Sequence, residues 1–97
     1  MVIEWMKIKV AAELRESFIQ EDAAIWTPAL ARCDGFLSKE VWLDRQFPDQ
    51  VIIIIHWQTR EQWHKIPEDY LAVTTREFKQ RFPYPNEIIE AREYEVY

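Results

Sequence analysis

Residues 51–57, VIIIIHW, form the most regular hydrophobic segment of the chain. An ordinary half-exposed strand alternates apolar and polar residues, because successive side chains point to opposite faces of the sheet. Here neither face becomes polar before His56, so the pattern predicts a strand that is buried on both sides. The helices of so short a chain can cover only one face of a sheet. The pattern therefore also favours a second copy of the chain against the other face.

Hydrophobic periodicity predicts three further strands and two helical segments. Residues 2–10, 36–47 and 88–97 have the alternation or the composition of strands. Apolar residues at helical spacing predict helices over 13–32 and 59–82. The order β-α-β-β-α-β is that of a ferredoxin-like α+β domain, with a four-stranded antiparallel sheet and two helices on one face. We expect one such domain to span the whole chain.

Prolines and the only glycine divide the helical segments. Pro28 predicts either a kink or a restart of the first helix with Thr27 as its N-cap. Gly35 is placed to end that helix in a left-handed conformation. Thr59 opens the second segment in capping-box spacing, and Ile66–Pro67 is expected to break it before a longer helix.

Strand parity assigns side chains to the two faces of the sheet, with the more apolar set of each strand expected to face the helices. The opposite, open face is then predicted to hold Ile3, Trp5, Lys7, Phe36, Glu40, Trp42, Ile52, Ile54, His56, Gln58, Glu90, Arg92 and Tyr94. Aromatic rings and a few polar groups among apolar residues are typical of a ligand pocket. The same mixture also suits a dimer interface in which acidic and basic residues pair.

Composition excludes several classes of function. The 97 residues carry a formal charge of −5 with scattered Lys and Arg, which argues against a nucleic-acid surface. Cys33 is the only cysteine, so no intrachain disulfide or cysteine-paired zinc site can form. No apolar run approaches the ~18 residues of a membrane span, and the start does not suit a signal peptide. We expect a cytoplasmic protein without membrane or nucleic-acid partners, metal or cofactor.

Asp22 is the most anomalous residue, because the helical pattern places it within the apolar arc. A carboxylate there costs several kcal/mol unless it is paired or hydrogen-bonded. It is a candidate general base or substrate-orienting acid. Alternatively, it has a structural role and accepts a hydrogen bond from the Trp26 indole or from Arg15.

His56 is the second catalytic candidate, since an imidazole in a partly apolar pocket can take a proton from a phenol or bind a metal or haem iron. The alternative is a hydrogen-bonded interfacial histidine. For a substrate on the open face, Arg92 is expected to orient an anionic oxygen and Trp42 to stack. The remaining candidate substrate contacts are Glu40, Tyr94 and Trp5.

Four segments carry a resemblance to a known group: FIQEDAAIWTPAL (18–30), GFLSKEVW (35–42), HWQTREQWHKIP (56–67) and AREYEV (91–96). With the order of elements, they resemble the dimeric α/β-barrel superfamily, which includes antibiotic-biosynthesis-monooxygenase-like proteins. The most similar members are a small set of uncharacterised, mostly cyanobacterial proteins. The resemblance implies a homodimeric barrel of two sheets packed face to face, with a pocket in the barrel or between sheet and helices.

The resemblance implies several possible activities. One is cofactor-independent oxygenation, or isomerisation, of a small aromatic or apolar substrate. Another is a non-catalytic or stress-related homodimer that binds a small hydrophobic molecule. Haem degraders of the superfamily use an asparagine on the first strand, a tryptophan on the third and a histidine on the second helix. Trp57 and His64 suit the last two roles, but Trp5 and Lys7 stand where the asparagine is needed, which argues against haem degradation.

Overall fold

A computed structural model describing residues 1–97 shows a four-stranded antiparallel sheet with strand order β2-β3-β1-β4. The elements are β1 (Val2–Val10), a 3₁₀ turn (Ala12–Leu14), α1 (Arg15–Ala31), β2 (Phe36–Trp42), β3 (Gln50–Trp57), α2 (Arg60–His64), α3 (Glu68–Arg81) and β4 (Asn86–Glu95). The predicted ferredoxin-like α+β fold is confirmed. The sheet is open, with β2 and β4 at its edges. None of the helices has the length and apolar character needed to cross a membrane.

The β3 strand has the central role that its sequence predicts. It pairs with β1 on one side and β2 on the other, and its alternate residues Val51, Ile53, Ile55 and Trp57 join the hydrophobic core beneath the helices. Ile54 points the other way and is only 3% exposed, although it lies outside that core cluster. Both faces of β3 are therefore apolar, and side chains of the neighbouring strands β1 and β2 partly cover its open face.

The helices begin and end largely where the sequence signals lie. The Thr59 hydroxyl accepts the Gln62 backbone N–H at 3.1 Å and caps α2, which ends before Ile66–Pro67. Gly35 has the predicted positive φ (+87°), and a Cβ there would clash with the Gln62 side chain, but it does not cap α1. The helix ends at Ala31 with Arg32 as a right-handed C-cap, and Gly35 lies in the turn just before β2. The predicted restart at Thr27 does not occur, because α1 continues as one helix through Pro28.

Two bulges alter the parity read from the sequence. Phe36 pairs with Trp57 while Ser38 pairs with His56, so an extra residue turns Phe36 to the helix side, where its ring meets Trp57 edge-on. The prediction that Phe36 lies on the open face is wrong for this reason. A similar shift in β4 places Ile88 opposite Ile8. The β2 strand also ends at Trp42 rather than at residue 47, where a turn follows.

Candidate active site

A cavity of about 950 Å³ lies between the sheet and the helices. Its walls are mainly apolar and come from β1, β3 and the inward faces of α1 and α3, with Met6, Ile53, Phe18, Trp26 and Phe78 among them. Ligand pockets in proteins usually measure roughly 300–1,000 Å³ and are mostly apolar with a few polar groups. The cavity is therefore large enough for a multi-ring organic molecule.

The exposed part of the cavity lining marks its mouth. Thr75 and Lys79, one turn apart on α3, lie on one side, and Tyr84 and Asn86, just before and at the start of β4, lie on the other. Because α3 packs more closely on α1 than on β4, an opening remains between α3 and the edge of the sheet. A ligand can enter through this gap.

At the inner end, Asp22 of α1 forms a salt bridge with Lys39 of β2. The two side chains are only 5% and 4% exposed, respectively. The Lys39 ammonium also donates to the Thr27 hydroxyl at 2.7 Å. An ammonium has three N–H groups, so one remains without a protein acceptor. Lys39 itself lines the cavity and can therefore offer this donor to a ligand oxygen.

Burial raises the pKa of Asp22 above its ordinary value, and the charge and hydrogen bond of Lys39 oppose the rise. Removal from water disfavours the carboxylate, whereas the nearby ammonium favours it. A carboxylate in this balance is a stronger base than an exposed aspartate, which suits it to accept a proton from a bound molecule. The predicted partners Trp26 and Arg15 are wrong: Arg15 instead donates to the Phe47 carbonyl, and Lys39 binds Asp22.

Glu4 of β1 is a second carboxyl group in the cavity lining. Its Oε1 accepts the Trp57 indole N–H at 3.1 Å. Burial is the main cause of a raised pKa at Glu4, and the charge of Glu93 adds to it; the Trp57 hydrogen bond and the Lys39 charge act in the opposite direction. The inner end of the cavity thus holds two carboxyl groups and one ammonium.

Strand register brings these groups together. Lys39 and Glu4 both pair with Ile55, from opposite sides, and Glu93 pairs with Glu4. The four residues form one row across the sheet. Neighbouring strands are about 4.8 Å apart, so the Lys39 and Glu4 backbones are separated by roughly 10 Å and both side chains extend over Ile55. Asp22 approaches the row from α1.

One oxygen of each carboxyl is free to interact with a ligand. Lys39 contacts Asp22 through Oδ2, and Trp57 contacts Glu4 through Oε1, so Asp22 Oδ1 and Glu4 Oε2 have no protein hydrogen-bond partner. Neither oxygen is sealed away from solvent, and both residues line the cavity. The site can therefore accept a proton at one carboxyl and donate one from the other.

The other sequence-predicted residues lie on the open face. The Glu40 carboxylate contacts His56 Nε2 and accepts the Trp42 indole N–H, both at 3.2 Å. On the neighbouring strands, Glu90 binds Arg92 and Lys7, with Trp5 beside Lys7 and with Tyr94 half-exposed. Asp22 and His56 consequently lie on opposite faces of the sheet and cannot act on the same small molecule in one pocket of the single chain.

Sequence reasoning missed Glu4, Lys39 and Thr27 as site residues. Strand alternation places Glu4 and Lys39 on the helix side of the sheet, where both pair with Ile55. A charged residue at such an inward position is unusual, and this is the sequence signal that could have identified them. Their partners could not be read from the sequence because Asp22 belongs to a different element. No three His, Cys, Asp or Glu side chains are grouped as they would be around a metal ion.

Comparison with known proteins gives a consistent family match. The profile of the family described as antibiotic biosynthesis monooxygenase matches residues 1–66, which include Glu4, Asp22 and Lys39. A protein of Deinococcus radiodurans, named as a candidate member of that family, has a TM-score of 0.68 at 22% identity, covering 99% of this chain and 92% of its own. SnoaB, a cofactor-independent oxygenase from Streptomyces nogalater, has a TM-score of 0.67 at 15% identity, with the same coverage. No curated protein matches the sequence.

Proposed function

Because the chain belongs to the antibiotic biosynthesis monooxygenase family, we propose that it oxygenates a phenolic aromatic molecule with dioxygen and without a cofactor. One observation carries this proposal: a largely apolar cavity of about 950 Å³ ends at the buried Asp22–Lys39 pair. An apolar cavity binds an aromatic ring system, and the pair supplies a base and a cation for its hydroxyl group.

The first chemical step is removal of the phenol proton by Asp22. The Lys39 ammonium then holds the phenolate oxygen through its remaining N–H, since an ammonium in a water-poor site stabilises an oxyanion strongly. A phenolate is far more easily oxidised than the phenol. It transfers one electron to dioxygen, and the superoxide and phenoxyl radical combine at a ring carbon.

The ring-bound peroxide takes back the proton from Asp22 to become a hydroperoxide. Loss of water from the hydroperoxide gives a quinone, so that one oxygen atom enters the product and the other leaves as water. Phenol and dioxygen are thus converted to quinone and water, and dioxygen is the only oxidant. The apolar walls exclude bulk water from the peroxide and keep it beside the two charged groups.

Dioxygen uptake with 1-naphthol, a two-ring phenol, tests the proposal. We expect the wild type to consume dioxygen and form a quinone, and we expect Asp22→Asn to reduce the rate by about 10²–10⁴-fold through loss of the base. Glu16→Gln is the matched control, because it neutralises an exposed carboxylate on the same helix. The control should retain the wild-type rate.

Binding must be measured in parallel. Quenching of tryptophan fluorescence by 1-naphthol reports occupancy, since Trp26 and Trp63 line the cavity. Binding without dioxygen uptake would reject the oxygenase and support the non-catalytic small-molecule binder. Equal rates for Asp22→Asn and wild type would remove Asp22 from the mechanism.

The open face supports a second part of the proposal, a homodimer formed by packing two such faces together. Trp42 is 50% exposed there, and the partly exposed Ile52 and Trp5 add apolar surface next to the Glu40–His56 contact and the Glu90 ion pairs. In this arrangement His56, Arg92 and Tyr94 contact the second copy. Sedimentation at micromolar concentration should give a dimer, and replacing the exposed Trp42 with aspartate should give a monomer. A monomeric wild type would contradict this proposal.

A further inference from the structure

We propose that Glu4 is a second proton-transferring residue of the site, the acid that delivers a proton to the oxygen that leaves as water. This inference rests on the oxygenase proposal and deepens it. It assigns to one named residue the step that Asp22 cannot complete alone. Loss of water from a hydroperoxide needs a base for the carbon-bound proton and, at the same time, an acid for the departing oxygen.

The position of Glu4 fits that role. It lines the same cavity as Asp22 and Lys39. Glu4 and Lys39 pair with Ile55 from opposite sides, so they lie on opposite sides of the inner end of the cavity. The Trp57 indole N–H holds Oε1 at 3.1 Å and fixes the carboxyl, while Oε2 has no protein partner. A molecule whose oxygen contacts Lys39 can therefore place its ring, and a peroxide on that ring, in the space between Lys39 and Glu4.

The surroundings of Glu4 favour its protonated form. Lys39 is already neutralised by Asp22 of α1, so Glu4 has no counter-charge of its own. Across the sheet, Glu93 of β4 faces Glu4 with a like charge, although Arg60 of α2 also contacts Glu93. Two carboxyl groups beside one ammonium in an apolar cavity cannot both ionise without a large desolvation cost. The direction of the pKa shift at Glu4 agrees with this arrangement.

In this step Asp22 acts as the base and Glu4 as the acid. Asp22 removes the proton from the carbon that bears the hydroperoxide, and the carbon–hydrogen electron pair forms the carbonyl bond. The oxygen–oxygen bond breaks, and the departing hydroxide takes the Glu4 proton and leaves as water. Asp22 is then protonated and Glu4 ionised, so transfer of one proton between them, through solvent admitted as the product leaves, restores the starting state. The carbon is oxidised and the peroxide is reduced, with no further reactant.

The test separates dioxygen consumption from product formation. With 1-naphthol as the substrate, the readout is the ratio of hydroperoxide to quinone formed per dioxygen consumed, compared between Glu4→Gln and the wild type. The quinone yield should fall by about 10²-fold, the lower range for loss of a general acid. Hydroperoxide, trapped by triphenylphosphine, should replace the quinone. Glu87→Gln, an exposed carboxylate of the adjacent edge strand, should keep the wild-type product ratio.

Four outcomes contradict the role of Glu4. An unchanged ratio of hydroperoxide to quinone in Glu4→Gln overturns the inference while leaving the oxygenase intact, and so does the same change in Glu87→Gln. A wild type that consumes no dioxygen overturns both proposals together. If Glu4→Gln does not fold, the wild type answers the question: the hydroperoxide fraction must rise with pH as Glu4 loses its proton, and a constant fraction rejects the assignment.

Discussion

The two faces of the sheet carry the same kinds of charge pair in opposite surroundings. On the helix side, Asp22 and Lys39 pair with side chains that are 5% and 4% exposed. On the open face, Glu90 pairs with Arg92, whose side chain is 56% exposed. The carboxyl pKa is raised at Asp22, where burial outweighs the cation, and lowered at Glu90, where the hydrogen bond from Arg92 dominates. Burial, rather than the presence of a cation, decides the direction.

The difference in burial also indicates what each ion pair contributes to stability and which one suits a functional role. An exposed pair adds little to the free energy of unfolding because water screens it. A buried pair is costly to break but is often no better than well-packed apolar residues in its place. The Asp22–Lys39 pair is therefore a poor device for stabilising the fold and a good device for holding an anion or moving a proton. This contrast supports placing the chemistry in the cavity.

The largest expected effect comes from leaving one buried charge alone. Lys39→Met should lower the free energy of unfolding by about 3–5 kcal/mol, because the Asp22 carboxylate then remains buried without a partner. Urea unfolding at neutral pH measures the change. Lys7→Met, which breaks a more exposed pair with Glu90 on the open face, is the matched control and should have a much smaller effect.

The double variant sharpens this result. Asp22→Leu combined with Lys39→Met removes both charges, and we expect it to regain most of the stability that Lys39→Met loses. It should at the same time lose oxygenation of 1-naphthol. A double variant as unstable as the single one would show that the pair stabilises the fold directly.

A smaller effect is the pH dependence of the free energy of unfolding, which should have opposite signs for the carboxyl groups on the two faces of the sheet. Because the pKa of Glu4 is raised in the folded state, the native protein holds a proton that the unfolded chain releases near pH 4.5, and this stabilisation is lost as pH rises above that value. The pKa of Glu90 is lowered, so its contribution is present above pH 4.5 and is lost as pH falls below it.

Urea unfolding from pH 3 to 8 should show both slopes. The stability of the wild type relative to Glu4→Gln should decrease with rising pH above about 4.5, and relative to Glu90→Gln it should increase with rising pH below about 4.5. Slopes of the same sign for both variants would contradict the contrast between the faces.

The smallest expected effect concerns His56. Since it lies on the opposite face from the cavity, His56→Ala should leave the affinity for 1-naphthol within about twofold of the wild type, as expected for distant sites. Fluorescence quenching measures this. A large loss of affinity in a variant that remains a dimer would place the ligand on the open face instead.

Much of the fold could be predicted from the sequence because its signals are local. The run of residues 51–55 identifies the central strand, Thr59 marks the start of α2, Gly35 marks the turn before β2, and alternation over 2–10 separates the two faces of β1. The errors came from features without a local signal. A bulge changes which face a side chain occupies by adding one residue to a strand, and no residue type announces it, which is why Phe36 was misplaced.

The candidate site shows the same division. The sequence by itself determined that a carboxylate, Asp22, lies in an apolar helix face, and that Glu4 and Lys39 occupy inward strand positions, since both follow from the periods of helices and strands. Only the tertiary structure decided that these three residues meet around one cavity and that His56 does not join them. Strand register and helix packing determine those distances, and they depend on the whole set of contacts rather than on any one segment.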